Sequence, residues 1–245
     1  MSGHSHWSKI KRAKGDNDAK RGKEWSKLAK RIIMAAKAGG GNPDENLTLR
    51  YAIDDAKAAN MTKDTIQNAI KKGTGELAAV EYERLMYEGY GPAGVAIIVE
   101  CLTDNRHRTA PEMRKLFERG GGQMGATNCV AWMFAQKGTL SIPASAMEEE
   151  KMMNLCLDAG ADDVVLDSDT YEVTCPPAAF LGLREALTKA GVEILAAQIG
   201  MVPNTTITVS GDKAQQIIGL LEAFEENEDV QNVYANFDVP DEAQK

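Results

Sequence analysis

The sequence predicts an α+β protein: an N-terminal three-helix domain followed by two ferredoxin-like βαββαβ domains, one inserted in the other. Three observations predict it. Between Lys23 and Thr74 apolar residues recur at helical spacing, with glycine or asparagine at each helix end. After Gly75 the pattern changes to short β-branched runs separated by single amphipathic helices. Over 137–202 those runs follow the order strand, helix, two strands, helix, strand, which is the split βαβ pattern, and the flanking segments are left to complete a second unit. The expected domains are therefore 1–76, then 77–136 with 203–240, and 137–202 inserted.

From Ser2 to Gly22 no apolar periodicity is sustained, and polar and basic residues surround a single Trp7. This segment is expected to stay mobile until something binds it. From Lys23 onward, Trp25, Leu28, Ala29, Ile32, Ile33 and Ala36 follow the i, i+3, i+4, i+7 rule. Gly39-Gly40-Gly41-Asn42-Pro43 ends that run, which predicts an amphipathic helix with a basic outer face. A second helix is expected from about Asn46 to Asn60, with Leu49, Ala52, Ile53, Ala56 and the stem of Lys57 inward. Thr62 caps a third, which carries Ile66, Ala69 and Ile70 and ends at Gly73-Thr74-Gly75.

Tyr82–Tyr90 and Gly94–Leu102 read as strands about the turn Gly91-Pro92. Thr109-Ala110-Pro111-Glu112 reads as an N-cap with proline in the first turn of a helix that closes at Gly120. Cys129–Phe134 is expected as the next strand. The inserted unit reads as strand Thr139–Ile142, helix Met147–Ala159, strands Asp163–Leu166 and Tyr171–Cys175, helix Ala178–Ala190 and strand Val192–Ala197. Strand Thr205–Val209, helix Lys213–Glu225 and strand Val230–Asp238 then finish the surrounding unit.

A hydrophobic content of 43% over 245 residues is ordinary for packed protein. There is no apolar run long enough to span a bilayer, and the start Met-Ser-Gly-His-Ser-His-Trp lacks the apolar core of a secretory leader, so a cytoplasmic protein with no membrane contact is expected. Cys101, Cys129, Cys156 and Cys175 lie far apart in apolar runs without a CxxC pair, which fits buried thiols better than disulfides.

Charge is the strongest functional signal. The first 37 residues hold 11 basic and 3 acidic side chains, a net of +8; the whole chain holds 28 and 36, so the remainder has 17 against 33, or −16. A cationic arm on an anionic body is suited to phosphate, because Lys and Arg that neutralise a polyanion release its condensed counterions. The candidate phosphate contacts are Lys9, Lys11, Arg12, Lys14, Lys20, Arg21, Lys23, Lys27, Lys30 and Arg31, with Trp7 placed to stack on an unpaired base or lie in a groove. A tail serving solubility alone would gain nothing from opposing the sign of its body. The second and third helices, joined at Asn60-Met61, form a helical hairpin whose outer face carries Lys63, Gln67, Asn68, Lys71 and Lys72. Base reading by so common a hairpin has weak support, and Lys63, Lys71 and Lys72 are taken as phosphate contacts. The acidic body repels bare nucleic acid, which leaves the α+β domains to dock basic proteins, to space the arm or to self-associate. Phosphate does not distinguish DNA from ribosomal RNA, so both stand as partners.

Other chemistries fit less well. Gly120-Gly121-Gly122-Gln123-Met124-Gly125 follows a helix and precedes a strand, the reverse of the strand, loop, helix order that cradles phosphate. His107 as a base with Cys101 as a nucleophile would need an accessible thiol, and Cys101 lies in a continuous apolar strand. Arg106 and Arg108 read as a second anion contact or as helix–loop salt bridges. His4 and His6 have no cysteine or carboxylate cluster at ligand spacing. No cofactor, metal or enzymatic activity is expected.

Gly3-His4-Ser5-His6-Trp7, Lys20-Arg21-Gly22-Lys23, Gly39-Gly40-Gly41-Asn42-Pro43, Leu49-Arg50-Tyr51-Ala52-Ile53, Asn60-Met61-Thr62-Lys63-Asp64, Tyr87-Glu88-Gly89-Tyr90-Gly91-Pro92, Leu102-Thr103-Asp104-Asn105-Arg106, Met133-Phe134 and Val230-Gln231-Asn232-Val233-Tyr234 together resemble the YebC/PmpR family nearly end to end. The resemblance implies three domains, one helical and two α+β, in a cytoplasmic, non-enzymatic transcriptional regulator that binds DNA. It also implies kinship with a mitochondrial translational activator that works at the ribosome. Two positions depart from the family's usual pattern: His6 stands where lysine is usual, and Asn128-Cys129 where Gly-Ser is usual.

Overall fold

A computed structural model describes residues 18–78 and 80–239 of the chain. Trp7, Lys9, Lys11, Arg12 and Lys14, with His4 and His6, lie outside the described residues. The chain divides into two compact units, Met1–Trp132 with Thr206–Lys245, and Met133–Thr205.

Helix α1 spans Asp18–Gly39. It starts five residues before Lys23, because Ala19, Lys20 and Arg21 are strong helix formers and carry the helix through Gly22. Helix α2 spans Leu47–Ala58, capped by Asn46, whose Oδ1 accepts from the Leu49 amide at 3.0 Å. The same side chain donates to the carbonyls of Ala35 at 2.8 Å and Gly40 at 2.9 Å, so one buried asparagine starts α2 and holds it against the end of α1. Asn60 leaves α2 at φ 56°, a left-handed conformation that asparagine tolerates. Helix α3 spans Lys63–Thr74, capped by Thr62 and closed by Gly75 at φ 84°. Gly73 is needed where α3 crosses α1, since a Cβ there would strike the Ile33 carbonyl and the Ala36 side chain. Leu28, Ile32, Ile33, Leu49, Ile53, Ile66 and Ile70 fill the space between the helices, while Lys57 is exposed.

Strands β1 (Glu83–Tyr90) and β2 (Ala96–Thr103) form an antiparallel pair. Helix α4 spans Arg106–Arg119 and begins three residues before the expected cap, because Asn105 accepts from the Arg108 amide at 3.1 Å and takes that role. Thr109 is inside the helix, fully buried, and Pro111 lies beyond the first turn. After Gly120 the chain forms a two-residue strand, β3 (Gln123–Met124), on the free side of β1. Of the expected strand Cys129–Phe134, all but Phe134 is a turn leading into a 3-10 turn, since the amides of Asn128, Val130 and Ala131 all bond the Glu88 carboxylate instead of a neighbouring strand. Asn128 has φ 66°, which glycine or asparagine accommodates and most residues do not.

The second unit contains β4 (Phe134–Pro143), α5 (Glu149–Asp158), β5 (Asp163–Asp167), β6 (Thr170–Cys175), α6 (Phe180–Lys189) and β7 (Ala196–Pro203). Strand β4 starts five residues before its expected beginning and β7 four after, because each extends along the other from Phe134 opposite Pro203 to Ser141 opposite Ala196. The strand order β5-β6-β4-β7, antiparallel throughout, is that of a ferredoxin-like sheet. Leu140, Ile142, Met152, Cys156, Tyr171, Val173, Leu183 and Leu187 form its core.

The chain then returns to the first unit through β8 (Ile207–Thr208), α7 (Gly211–Glu225), β9 (Val230–Ala235) and β10 (Phe237–Asp238). The order β3-β1-β2-β9 reproduces the ferredoxin-like arrangement, with β2 and β3 flanking a central strand that comes first in the chain instead of third. Strand β8 is shorter than expected and pairs in parallel with β10, outside that sheet. Phe117 of α4 meets Phe224 of α7 edge to face, ring centroids 4.7 Å apart, above Ile97, Val99 and Cys101. Among the described residues no helix is long and apolar enough to cross a membrane.

Candidate nucleic-acid interface and the ion cluster behind it

Helix α1 must bury one apolar stripe against α2 and α3, so its charged residues are distributed over the remaining arc. Lys20 and Arg21 lie in its first turns. Arg31 and Lys37 are exposed and Lys23 and Lys27 half-buried, with Arg31 near Asp55 at 3.5 Å, Lys37 near Glu81 at 3.6 Å and Lys27 Nζ donating to the Glu225 carbonyl at 2.7 Å. On α3, Lys63, Gln67, Asn68, Lys71 and Lys72 are all exposed. The contact at Gly73 sets the last turn of α3, with Lys71 and Lys72, against the last two turns of α1, which end at Lys37 and Gly39. These three lysines therefore share one end of the helical region.

Lys30 has a different environment. It is only 8% exposed, and its ammonium donates to Asp229 Oδ1 at 2.8 Å, the Glu228 carbonyl at 3.0 Å and the Leu102 carbonyl at 3.2 Å, using all three protons. It also lies 5.5 Å from the centre of the Tyr82 ring. Asp229 is 5% exposed, and its Oδ2 accepts from Arg108 at 2.7 Å, Thr109 Oγ1 at 2.9 Å and Thr103 Oγ1 at 3.1 Å. Burial alone would raise the carboxyl's pKa, but the hydrogen bonds from Arg108, Lys30 and Thr109 overcome that and hold it down at about 2. A lysine on the amino-terminal helix is thereby tied to the loop before β9, across 199 positions of sequence. With all three protons engaged inside the protein, Lys30 has none left for a phosphate.

Beside the cluster is a cavity of about 620 Å³. Its lining has five carboxylates, Asp104, Glu112, Glu226, Glu228 and Asp229, against the three cations Lys23, Lys30 and Arg108, a balance that disfavours phosphate. Arg108 bonds Asp104 at 3.0 Å as well as Asp229, and Arg106 lies 3.8 Å from Glu83, so both arginines form internal ion pairs. His107 is exposed and Cys101 fully buried. Burial, with the nearby Asp229 and Glu100 charges, pushes the Cys101 thiol up to about 12, which leaves no thiolate for a nucleophilic role near neutral pH.

A third feature was not read from the sequence. The loop from Gly125 to Trp132 is pinned by Glu88, which accepts from three backbone amides at 2.8–2.9 Å. It presents Trp132 at 72% exposure beside Tyr90, the indole N–H and the Tyr90 hydroxyl both donating to the Cys129 carbonyl at 3.2 and 3.3 Å. The legible signal was Trp132 itself, a large aromatic in a segment that reads as an ordinary buried strand.

Two family models match the chain: the TACO1/YebC protein N-terminal domain over residues 5–76, and the TACO1/YebC second and third domain over residues 82–237. The chain is 52% identical to a protein of Geobacter sulfurreducens over 99% of its length and 98% of that protein's, and 49% identical to one of Pelotomaculum thermopropionicum over 98% and 100%. Both bear the name "Probable transcriptional regulatory protein". The crystal structure of a conserved hypothetical protein from Aquifex aeolicus, 43% identical, superposes with a TM-score of 0.84 over 93% of this chain and 94% of that one. With both family models matched in order along one α+β chain, the protein belongs to the TACO1/YebC family.

Proposed function

We propose that the protein is a non-enzymatic cytoplasmic regulator of transcription that binds DNA, contacting the phosphate backbone through its basic amino-terminal arm and helical region. The reversal of charge within one chain, +8 over the first 37 residues against −16 over the rest, is the observation that supports this most. The exposed Lys63, Lys71 and Lys72, the last two at the same end of the helical region as Lys37, extend the cationic surface from the arm onto the folded helices. The names borne by the relatives support a role in transcription.

If six to ten cations contact phosphate, log affinity for duplex DNA against log salt has a slope of roughly −5 to −9, measurable by fluorescence anisotropy; a slope near zero excludes the clamp. Replacing Lys63, Lys71 and Lys72 together with Gln is expected to reduce that slope by about 3, nearly equally for unrelated sequences. Replacing Lys9, Lys11, Arg12 and Lys14 with Gln tests the arm in the same way: unchanged binding would leave the helical region as the sole contact.

A second reading, a ribosome-associated translation factor that binds ribosomal RNA, is favoured by a strongly acidic stretch at 148–172, where nine carboxylates face a single lysine. An RNA–protein surface offers basic protein as well as phosphate. Crosslinking in cells followed by sequencing of the bound nucleic acid separates the two, promoter DNA supporting the first and ribosomal RNA the second.

A further inference from the structure

Among the described residues, five of the ten exposed large apolar side chains, Met153, Leu157, Val165, Leu166 and Leu195, fall within the 73 residues of Met133–Thr205. Three of them stand on two elements packed against each other, α5 and β5. Met153 and Leu157 stand one turn apart on α5, 38% and 47% exposed, while Met152 and Cys156 of the same helix face the core. Helix α5 packs against β5. In β5, Val164 packs into the core on the helix side, so Leu166, two positions on and 43% exposed, emerges on that same side. Strand β5 pairs with β6 along one side and forms the edge of its sheet on the other.

The charge around this strip is one-sided. The nine carboxylates and one lysine of 148–172 give −8, equal to the net charge of the entire chain, so the other 220 residues balance at 27 basic against 27 acidic. Some of these carboxylates are used internally: Glu148 meets Lys151 and Asp162 meets Lys137, both at 3.3 Å, and Glu172 accepts from Ser141. Glu149, Glu150, Asp158 and Asp163 remain exposed at the ends of α5 and β5. An apolar strip beside an unextended sheet edge marks an interaction surface, and its rim selects the partner's sign. A second copy of the chain would bring −8 against −8, so self-pairing here is opposed by its own charge.

We propose that α5 and β5 form a docking surface for a basic amphipathic segment of another protein, whose large apolar side chains cover Met153, Leu157 and Leu166 while its Lys and Arg meet the surrounding carboxylates. The proposal does not depend on the nucleic-acid reading. Its test uses the full-length protein and two synthetic probes, an amphipathic leucine–lysine peptide and a lysine-only peptide of equal charge. The expected result is that the amphipathic probe binds about tenfold tighter than the lysine-only one at ~0.15 M salt, with NMR shift changes concentrated on α5 and β5. Leu157→Asp combined with Leu166→Asp, both at exposed positions, weakens that binding by about tenfold or more and leaves duplex DNA affinity unchanged. Three results overturn the proposal: equal binding of both probes with no effect of the double variant, shift changes on another surface, or a concentration-dependent self-association that the double variant abolishes.

Discussion

Replacing Asp229 with Ala is expected to destabilise the folded protein by about 3–5 kcal/mol, measured as a fall in the denaturant midpoint without a change in slope. The carboxylate is the shared acceptor of Lys30, Arg108, Thr103 and Thr109, and its loss leaves a buried ammonium facing only carbonyl dipoles. Lys30→Met should cost less, because Asp229 keeps Arg108 and both hydroxyls, and the methionine retains the aliphatic stem against Tyr82. Equal effects of the two substitutions would show that the ammonium is not the group in need of compensation. Acid should act through the same carboxylate. Its folded-state pKa is depressed to about 2, below the ordinary value near 3.9, so its contribution is full above pH ~4 and is lost as pH falls towards 2. The Asp229→Ala variant should therefore lose less additional stability than the parent over that interval.

Glu88→Gln is the second large effect. A single carboxylate caps three consecutive-turn amides, those of Asn128, Val130 and Ala131, and hydrogen bonds to charged groups contribute roughly 1.5–3 kcal/mol each. Glutamine offers one oxygen and turns an N–H₂ towards a donor, so a loss of about 3 kcal/mol is expected. Because the bonds are local, much of the loss should appear as opening of the 125–132 loop rather than of the whole unit. Hydrogen exchange at those three amides should accelerate by roughly a hundredfold or more, at 1.4 kcal/mol per factor of ten, while amides of β2 change far less. Uniform acceleration throughout the unit would show that Glu88 acts on global stability alone.

These two sites also mark the limit of what the sequence could reveal. The helices of the amino-terminal region were legible because their signals are local: Asn46 and Thr62 as caps, Gly75 as a stop, and apolar residues at 3.6-residue spacing between them. The split βαβ order of the inserted unit was legible for the same reason. Lys30 lies at the edge of the apolar stripe of α1, where a lysine reads as an outward-facing phosphate contact, and the carboxylate that draws it inward comes 199 residues later. Thr109 followed by Pro111 mimics a helix start, yet Asn105 caps four residues earlier and the Thr109 hydroxyl is directed at Asp229. Glu88 alternates correctly for an outward-facing strand residue, and only the fold reveals that a loop has closed over it. Asn128 was legible in part: asparagine where relatives usually have glycine agrees with its left-handed backbone.

The placement of β9 governs the order in which the chain can be completed as it is synthesised. All six elements of Met133–Thr205 are contiguous, and its first and last strands, β4 and β7, are partners, so that unit can close while the ribosome still holds the final segment. Strand β2 has no such option, because Cys101 pairs with Val230 and Leu102 donates its amide to the Asp229 carbonyl. Until residue 229 emerges, the first unit lacks its fourth strand, and the Lys30 ammonium lacks the carboxylate on which it comes to rest. A stretch made 199 residues later thus locks helix α1 in place, and a chain released short of it would present an unfinished sheet edge at β2.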